Sequence, residues 1–201
     1  MIQGFTAGLL LSWSLIIAIG AQNSFVLRQG LRREHVFWVC LICSASDALL
    51  ILAGISGLAV AIGGMPSLLS FIRWFGVVFL FLYGARSFWR ARHEGDQLMP
   101  GEGESKPLGA TLLVCLALTW LNPHVYLDTV LLIGSIAQQY PDARPAFAAG
   151  AMLASLSFFF ALGYGAALLR PVLAKPVAWR VLEVLIGLCM WGIALSLALE
   201  A

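Results

Sequence analysis

The chain has 201 residues, 61% of them hydrophobic and only 11% charged, with a formal net charge of +2 and a mean hydropathy of +0.91. A soluble domain averages about 45–50% apolar and about 25% charged residues, so the composition excludes an ordinary globular domain and gives an integral membrane protein. The small net charge gives no argument for a nucleic-acid partner.

At about 20 apolar residues per span, the predicted fold is all-α, with six transmembrane helices over 4–26, 36–62, 68–88, 108–137, 145–168 and 178–199 and no segment left for a soluble domain. The first span lacks a basic region before its apolar stretch, so it reads as a retained helix and not as a cleavable signal. It runs into the polar group Gly20-Ala21-Gln22-Asn23, followed by the basic connection 28–35. The second span carries Asp47 in Ser44-Ala-Ser-Asp47, and Cys40-Leu-Ile-Cys43 upstream of it. A C-x-x-C pair within a membrane helix, with no strand nearby, reads as buried apolar packing rather than as a redox motif. The third span carries Arg73, which either snorkels outward or pairs with Asp128.

The only long polar loop, 91–107, follows the third span and splits the chain into repeat 1 (about 1–92) and repeat 2 (about 108–201). Three spans per half force opposite orientations, so homologous halves would form an inverted repeat. The fourth span is interrupted at Asn122-Pro123-His124, as the first is at Gln22-Asn23. Helices 1 and 4 are therefore expected to be broken within the membrane. Bilayer hydrocarbon offers no water to freed backbone groups, so such breaks persist only where protein buries them or a cavity solvates them. Paired breaks in matching positions of two halves are the best sequence pointer to a transporter's substrate site.

The loops after spans one, three and five, with their flanks, hold Arg28, Arg32, Arg33, Arg86, Arg90, Arg92, Lys106, Arg170, Lys175 and Arg180, against Arg73 and Arg144 on the other side. The positive-inside rule places those loops in the cytoplasm and both termini outside.

The candidate binding residues are Gln22, Asn23, Asp47, Asn122, Pro123, Tyr126 and Asp128. An aspartate at a helix centre costs about 2.5–3.5 kcal/mol. Asp47 and Asp128 therefore mark a cavity that takes a cation or exchanges a proton, or else an interhelical hydrogen bond or ion pair. The amides at the two breaks, and the backbone freed by Pro123, offer ligands for an amine or a carboxylate. The alternative is a packed kink with polar glue between helices. Trp120 and Tyr126 flank the second break and offer ring faces to a cation. His124 is read as a satisfied core group rather than a proton carrier. No spacing of His, Cys, Asp and Glu suggests a metal site, no P-loop is present, and no cofactor is expected. A membrane-embedded enzyme would need a nucleophile–base pair or metal ligands, and none is evident.

The blocks Gly20-Ala-Gln-Asn-Ser-Phe-Val-Leu-Arg-Gln-Gly-Leu-Arg-Arg-Glu-His35, Ser46-Asp47 and Thr119-Trp-Leu-Asn-Pro-His-Val-Tyr-Leu-Asp128 resemble the lysine/arginine exporter family (LysE/ArgO type) over essentially the whole chain. The resemblance implies a bacterial inner-membrane exporter of L-arginine and L-lysine, driven by protons or the membrane potential, with a homodimer allowed. Related homoserine/threonine-type exporters tend to carry Pro-Gly-Pro where this chain has Gly20-Ala21-Gln22, which favours a cationic substrate over a neutral amino acid or other small metabolite. Some descriptions of the family give five spans and a cytoplasmic N-terminus, against the six-span charge count. Asp47 and Asp128 are the expected counter-ions of the cation and the expected proton-coupling groups.

Overall fold

Helices with small or polar residues on one face and large apolar residues on the other dominate the chain, the reverse of a soluble amphipathic pattern. The second long helix is the clearest case: Val39, Cys40, Cys43, Ser44, Ser46, Asp47, Leu50, Ile51 and Gly54 turn inward, while Phe37, Trp38, Leu49 and Leu52 are exposed. The computed structural model describes residues 1–17, 20–57, 66–93, 107–122, 125–169 and 176–199. All regular structure among them is helical. Helices α1 (Ile2–Ile16), α2 (Ala21–Arg32), α3 (Val36–Ile55), α4 (Pro66–His93) and α5 (Leu108–Trp120) are followed by α6 (Tyr126–Ala137), α7 (Arg144–Gly165) and α8 (Pro176–Leu199).

The helices follow the expected apolar segments in chain order; the first and fourth segments are divided, as expected of helices 1 and 4, and α2 departs from expectation. The first expected span divides into α1 and α2, which are inclined by 81°. Helix α2 does not stop at residue 26. It runs on to Arg32, because Ala21, Gln22, Phe25, Val26, Gln29 and Gly30 form one continuous buried stripe at helical spacing. The expected connection 28–35 thus shrinks to a turn through Arg33 and His35, both with positive φ. The fourth expected span divides into α5 and α6. Among the described residues, three helical stretches are long and apolar enough to cross a membrane on their own: Val36–Ile55, Pro141–Leu168 and Arg180–Leu199. The long loop, apart from its two ends, lies outside the described residues.

Helix α1 packs parallel to α7. Gly4 lies against Ala143 and Gly8 against the Phe147 carbonyl, and Trp13 Nε1 donates to Ser157 Oγ at 3.1 Å. Further along α7, a Cβ at Gly30 of α2 would run into the Gly163 carbonyl. Helices α5 and α6 follow α3 in the same way. Cys115 meets Cys43 at 3.3 Å, Trp120 Nε1 donates to Ser46 Oγ at 3.1 Å, and a Cβ at Gly134 would lie 2.7 Å from the Gly54 carbonyl. Small residues at these crossings let the backbones touch. Helices α4 and α8 form an antiparallel pair: Trp191 stacks on Phe81 at 5.2 Å, and its indole N–H donates to the Phe81 carbonyl.

Two apolar clusters result. One gathers Phe25, Val26, Val39, Leu118, Phe159, Ile186 and Met190 toward the arginine-rich end. The other gathers Ile51, Ile133, Ala137, Phe147 and Ala151 toward the opposite end.

Candidate functional site

Between the two clusters lies a cavity of about 200 Å³, and both helix breaks open onto it. Leu15, Ile16, Gly20, Ala21, Gln22 and Asn23 line it from the first break, Asn122, Val125, Asp128 and Thr129 from the second, and Asp47 from α3. Five of the seven predicted binding residues, Gln22, Asn23, Asp47, Asn122 and Asp128, are thus brought to one wall-to-wall space. Pro123, like His124, lies outside the described residues. Tyr126 is placed beside the cavity instead of in its lining: its hydroxyl donates to the Trp120 carbonyl at 2.8 Å. Trp120 is turned toward α3 through its bond to Ser46.

Each break is tied by a polar side chain of the second half-helix reaching back to the first. Asn23 Nδ2 donates to the Ile16 carbonyl at 2.6 Å, as Tyr126 does to Trp120. These bonds satisfy carbonyls that end a helix without a successor. At the second break the chain resumes as a π-helix over Tyr126–Ile133. That wider winding is common at functional sites. It sets the direction of Asp128 in a way that ordinary heptad counting across the break does not.

Asp47 is only 3% exposed and accepts a hydrogen bond from Ser155 Oγ of α7 at 2.8 Å. The buried amide of Gln22 lies on the cavity wall, within reach of the Cys43 thiol. Two carboxylates line the space, and none of its described lining residues is basic. Such a cavity suits a cation that brings its own hydrogen-bond donors. Among the described residues no group of three or more His, Cys, Asp and Glu side chains is placed to hold a metal ion.

Sequence reasoning missed Ser155, whose signal is weak: one serine in an apolar helix is as often packing as ligand. It also missed Glu183, whose signal is strong. An acid in an apolar helix is expensive, and Glu183 is 1% exposed, held by Arg28 at 3.0 Å and Arg90 at 3.5 Å. These ion pairs fasten the α4–α8 pair to α2.

An apolar chain whose described regular structure is all helical, with a cavity that two carboxylates line at paired helix breaks, fits a helical membrane protein of the solute-translocating class. The LysE type translocator family matches residues 13–201, and the chain belongs to that family, which makes it a transporter and not an enzyme. It is 42% identical over 199 residues to the arginine exporter protein ArgO of Serratia proteamaculans, covering 98% of this chain and 97% of that one. It is 44% identical over 184 residues to a putative amino-acid transporter of Mycobacterium tuberculosis strain H37Rv, covering 90% of each. The ArgO protein of Pectobacterium carotovorum is 41% identical over 199 residues, covering 98% of both. No solved structure matches the chain.

Proposed function

We propose that the protein exports basic amino acids, arginine and lysine, across the bacterial inner membrane through the cavity at the two helix breaks. The observation that carries this is the pair Asp47 and Asp128 lining one space without a basic residue among its described lining. A cationic side chain finds two counter-charges there. A zwitterionic backbone finds the N-terminal end of α2 for its carboxylate and the C-terminal end of α1 for its ammonium, since half-helix ends carry partial charges of those signs. The names of the relatives in Serratia and Pectobacterium point to the same substrate class. Moving a net positive charge out against an inside-negative potential costs about 2.3 kcal/mol per 100 mV. Exchange for a proton cancels that movement, and Asp47 and Asp128 are the groups to carry it.

The reading rests on six spans in two inverted three-helix repeats, with the long loop between them. Its support is a set of matched contacts. Gly30 of α2 meets Gly163 of α7, and Gly134 of α6 meets Gly54 of α3, each pair joining a half-helix of one repeat to the long helix of the other. Helices α1 and α2 together pass from the start of α7 to its end, and α5 and α6 do so along α3. The 81° bend between α1 and α2 fits a broken span or a re-entrant loop, and the six-span reading takes the broken span. The basic loops then face the cytoplasm and both termini the outside.

The test is export of radiolabelled arginine, lysine and threonine from loaded cells with and without the protein. Arginine and lysine export that depends on the protein is expected. Threonine export alone would replace this reading with a neutral amino-acid exporter. A reporter fused after Ala201 should read out as extracytoplasmic, and a cytoplasmic readout would overturn the six-span arrangement.

A further inference from the structure

A second cavity, of about 250 Å³, lies at the arginine-rich end between α2, α4 and α5. Its polar end is formed by Arg28, Gln29, Arg32, Arg86, Arg90 and Thr111. Four guanidinium groups face two carboxylates: Glu183, shared by Arg28 and Arg90, and Glu34, paired with Arg32 at 3.0 Å. The excess of positive charge repels the cations that suit the central cavity, so this space is no part of their path.

Three buried polar atoms of its lining have no hydrogen-bond partner among the described residues: Arg90 Nε, Thr111 Oγ1 and Gln29 Oε1. Their residues are 8%, 2% and 5% exposed. Buried polar atoms are nearly always satisfied, so three around one space indicate an occupant. Two are donors that suit the oxygens of a phosphate, and the third accepts from a hydroxyl. The other end of the cavity is apolar, formed by Phe25, Phe79, Val114 and Ala117, and Val114 and the neighbouring Leu113 are exposed on the outer surface of the helices. The occupant therefore carries an anionic phosphate at one end and hydrocarbon at the other. Basic pockets between membrane helices on the cytoplasmic side are known to suit such headgroups.

We propose that this cavity holds the phosphate group of an anionic glycerophospholipid with a hydroxyl-bearing headgroup. The proposal needs only that the arginine-rich end lies at a bilayer surface and is independent of the solute carried. The probe is phosphatidylglycerol, titrated against the purified protein in detergent beside phosphatidylcholine, with retained lipid read by native mass spectrometry. Two variants report on the site. Arg86→Gln changes an exposed residue that makes no ion pair among the described residues. Thr111→Val removes a hydroxyl that has no partner, so in phosphatidylcholine its thermal unfolding should match or exceed that of the unmodified protein. Phosphatidylglycerol should be retained about tenfold or more over phosphatidylcholine, and each variant should weaken that retention by about fivefold. Inorganic phosphate at millimolar concentration should leave the lipid in place. Displacement by inorganic phosphate, with no preference between the two lipids, would assign the site to a free anion and overturn the lipid assignment. Equal retention of phosphatidylglycerol by all three proteins would overturn the site itself.

Discussion

Asp47→Asn separates charge from packing more cleanly than any other change in the central cavity. The asparagine side chain is nearly isosteric, and its carbonyl accepts the bond that Ser155 now donates at 2.8 Å, so the α3–α7 contact survives. What disappears is the negative charge and the capacity to bind a proton. A hydrogen bond to a charged group contributes about 1.5–3 kcal/mol, against about 0.5–1.5 kcal/mol for a neutral one. Two unit charges about 4 Å apart attract by about 4 kcal/mol at an effective dielectric constant near 20. The loss in substrate affinity should therefore lie between about 1 and 4 kcal/mol, that is, from about fivefold to about a thousandfold. The assay is the initial rate of arginine and lysine export at low internal load, normalised to the amount of protein in the membrane. Thermal unfolding in detergent is measured beside it. Removing a buried charge relieves part of the cost of about 2.5–3.5 kcal/mol that an aspartate carries at a helix centre, so the variant should unfold no earlier than the unmodified protein. Unchanged export at every load would refute the reasoning and pass the role to Asp128. Lost export together with earlier unfolding would make Asp47 a structural residue.

Three further outcomes are expected. Gly134→Leu should lower the unfolding temperature, because a Cβ there meets the Gly54 carbonyl at 2.7 Å and overpacking costs about 1–3 kcal/mol; Gly109→Leu, where a Cβ meets nothing within 4 Å, is the control, and equal unfolding of both variants would deny the α3–α6 contact. Mild oxidation should join Cys43 to Cys115, whose sulfurs lie 3.3 Å apart, so that a chain nicked within 94–106 runs as one band without reductant; separation into two fragments would place α5 away from α3. Glu183→Gln leaves Arg28 and Arg90 without their shared carboxylate and should destabilise the protein by about 3–5 kcal/mol, seen as early unfolding in detergent; an unaltered transition would show that the pair contributes nothing to holding α4 and α8 on α2.

The helices and both breaks were legible because membrane burial leaves a coarse signal: long apolar runs, and polar residues where they are costly. Gln22, Asn23, Asp47, Asn122 and Asp128 converge on one cavity for that reason, since each is expensive anywhere that hydrocarbon surrounds it. The continuation of α2 to Arg32 was not legible. Its polar residues read as a loop, and only the packing of Gly30 on Gly163 and the pairing of Arg28 with Glu183 keep them helical. Tyr126 stands beside the cavity and not in its lining. After the break the chain winds as a π-helix and the Tyr126 hydroxyl donates to the Trp120 carbonyl, which no periodicity argument foresees. The close crossings at Gly30 and Gly134 were not legible either. A glycine pair is recognisable in space, between helices far apart in the chain, and has no local signature.

The position of the central cavity suggests how one site can serve two sides of a membrane. It is bounded by both apolar clusters: Ile133 belongs to one and Phe159 to the other, and both line the space. A solute in the cavity is thus separated from either end by a layer of packed side chains and not by a single gate residue. Opening one end requires parting one cluster while the other stays closed. The breaks supply a place for this to happen. Helices α1 and α5 end where α2 and α6 begin, and among the described residues a side-chain hydrogen bond spans each joint, from Asn23 to the Ile16 carbonyl and from Tyr126 to the Trp120 carbonyl. A hydrogen bond of this kind contributes about 1 kcal/mol net. The close glycine crossings farther along α2 and α6 are far stiffer. On the proposed export route, bending at the breaks would cost least, because the glycine crossings farther along α2 and α6 bring backbone against backbone.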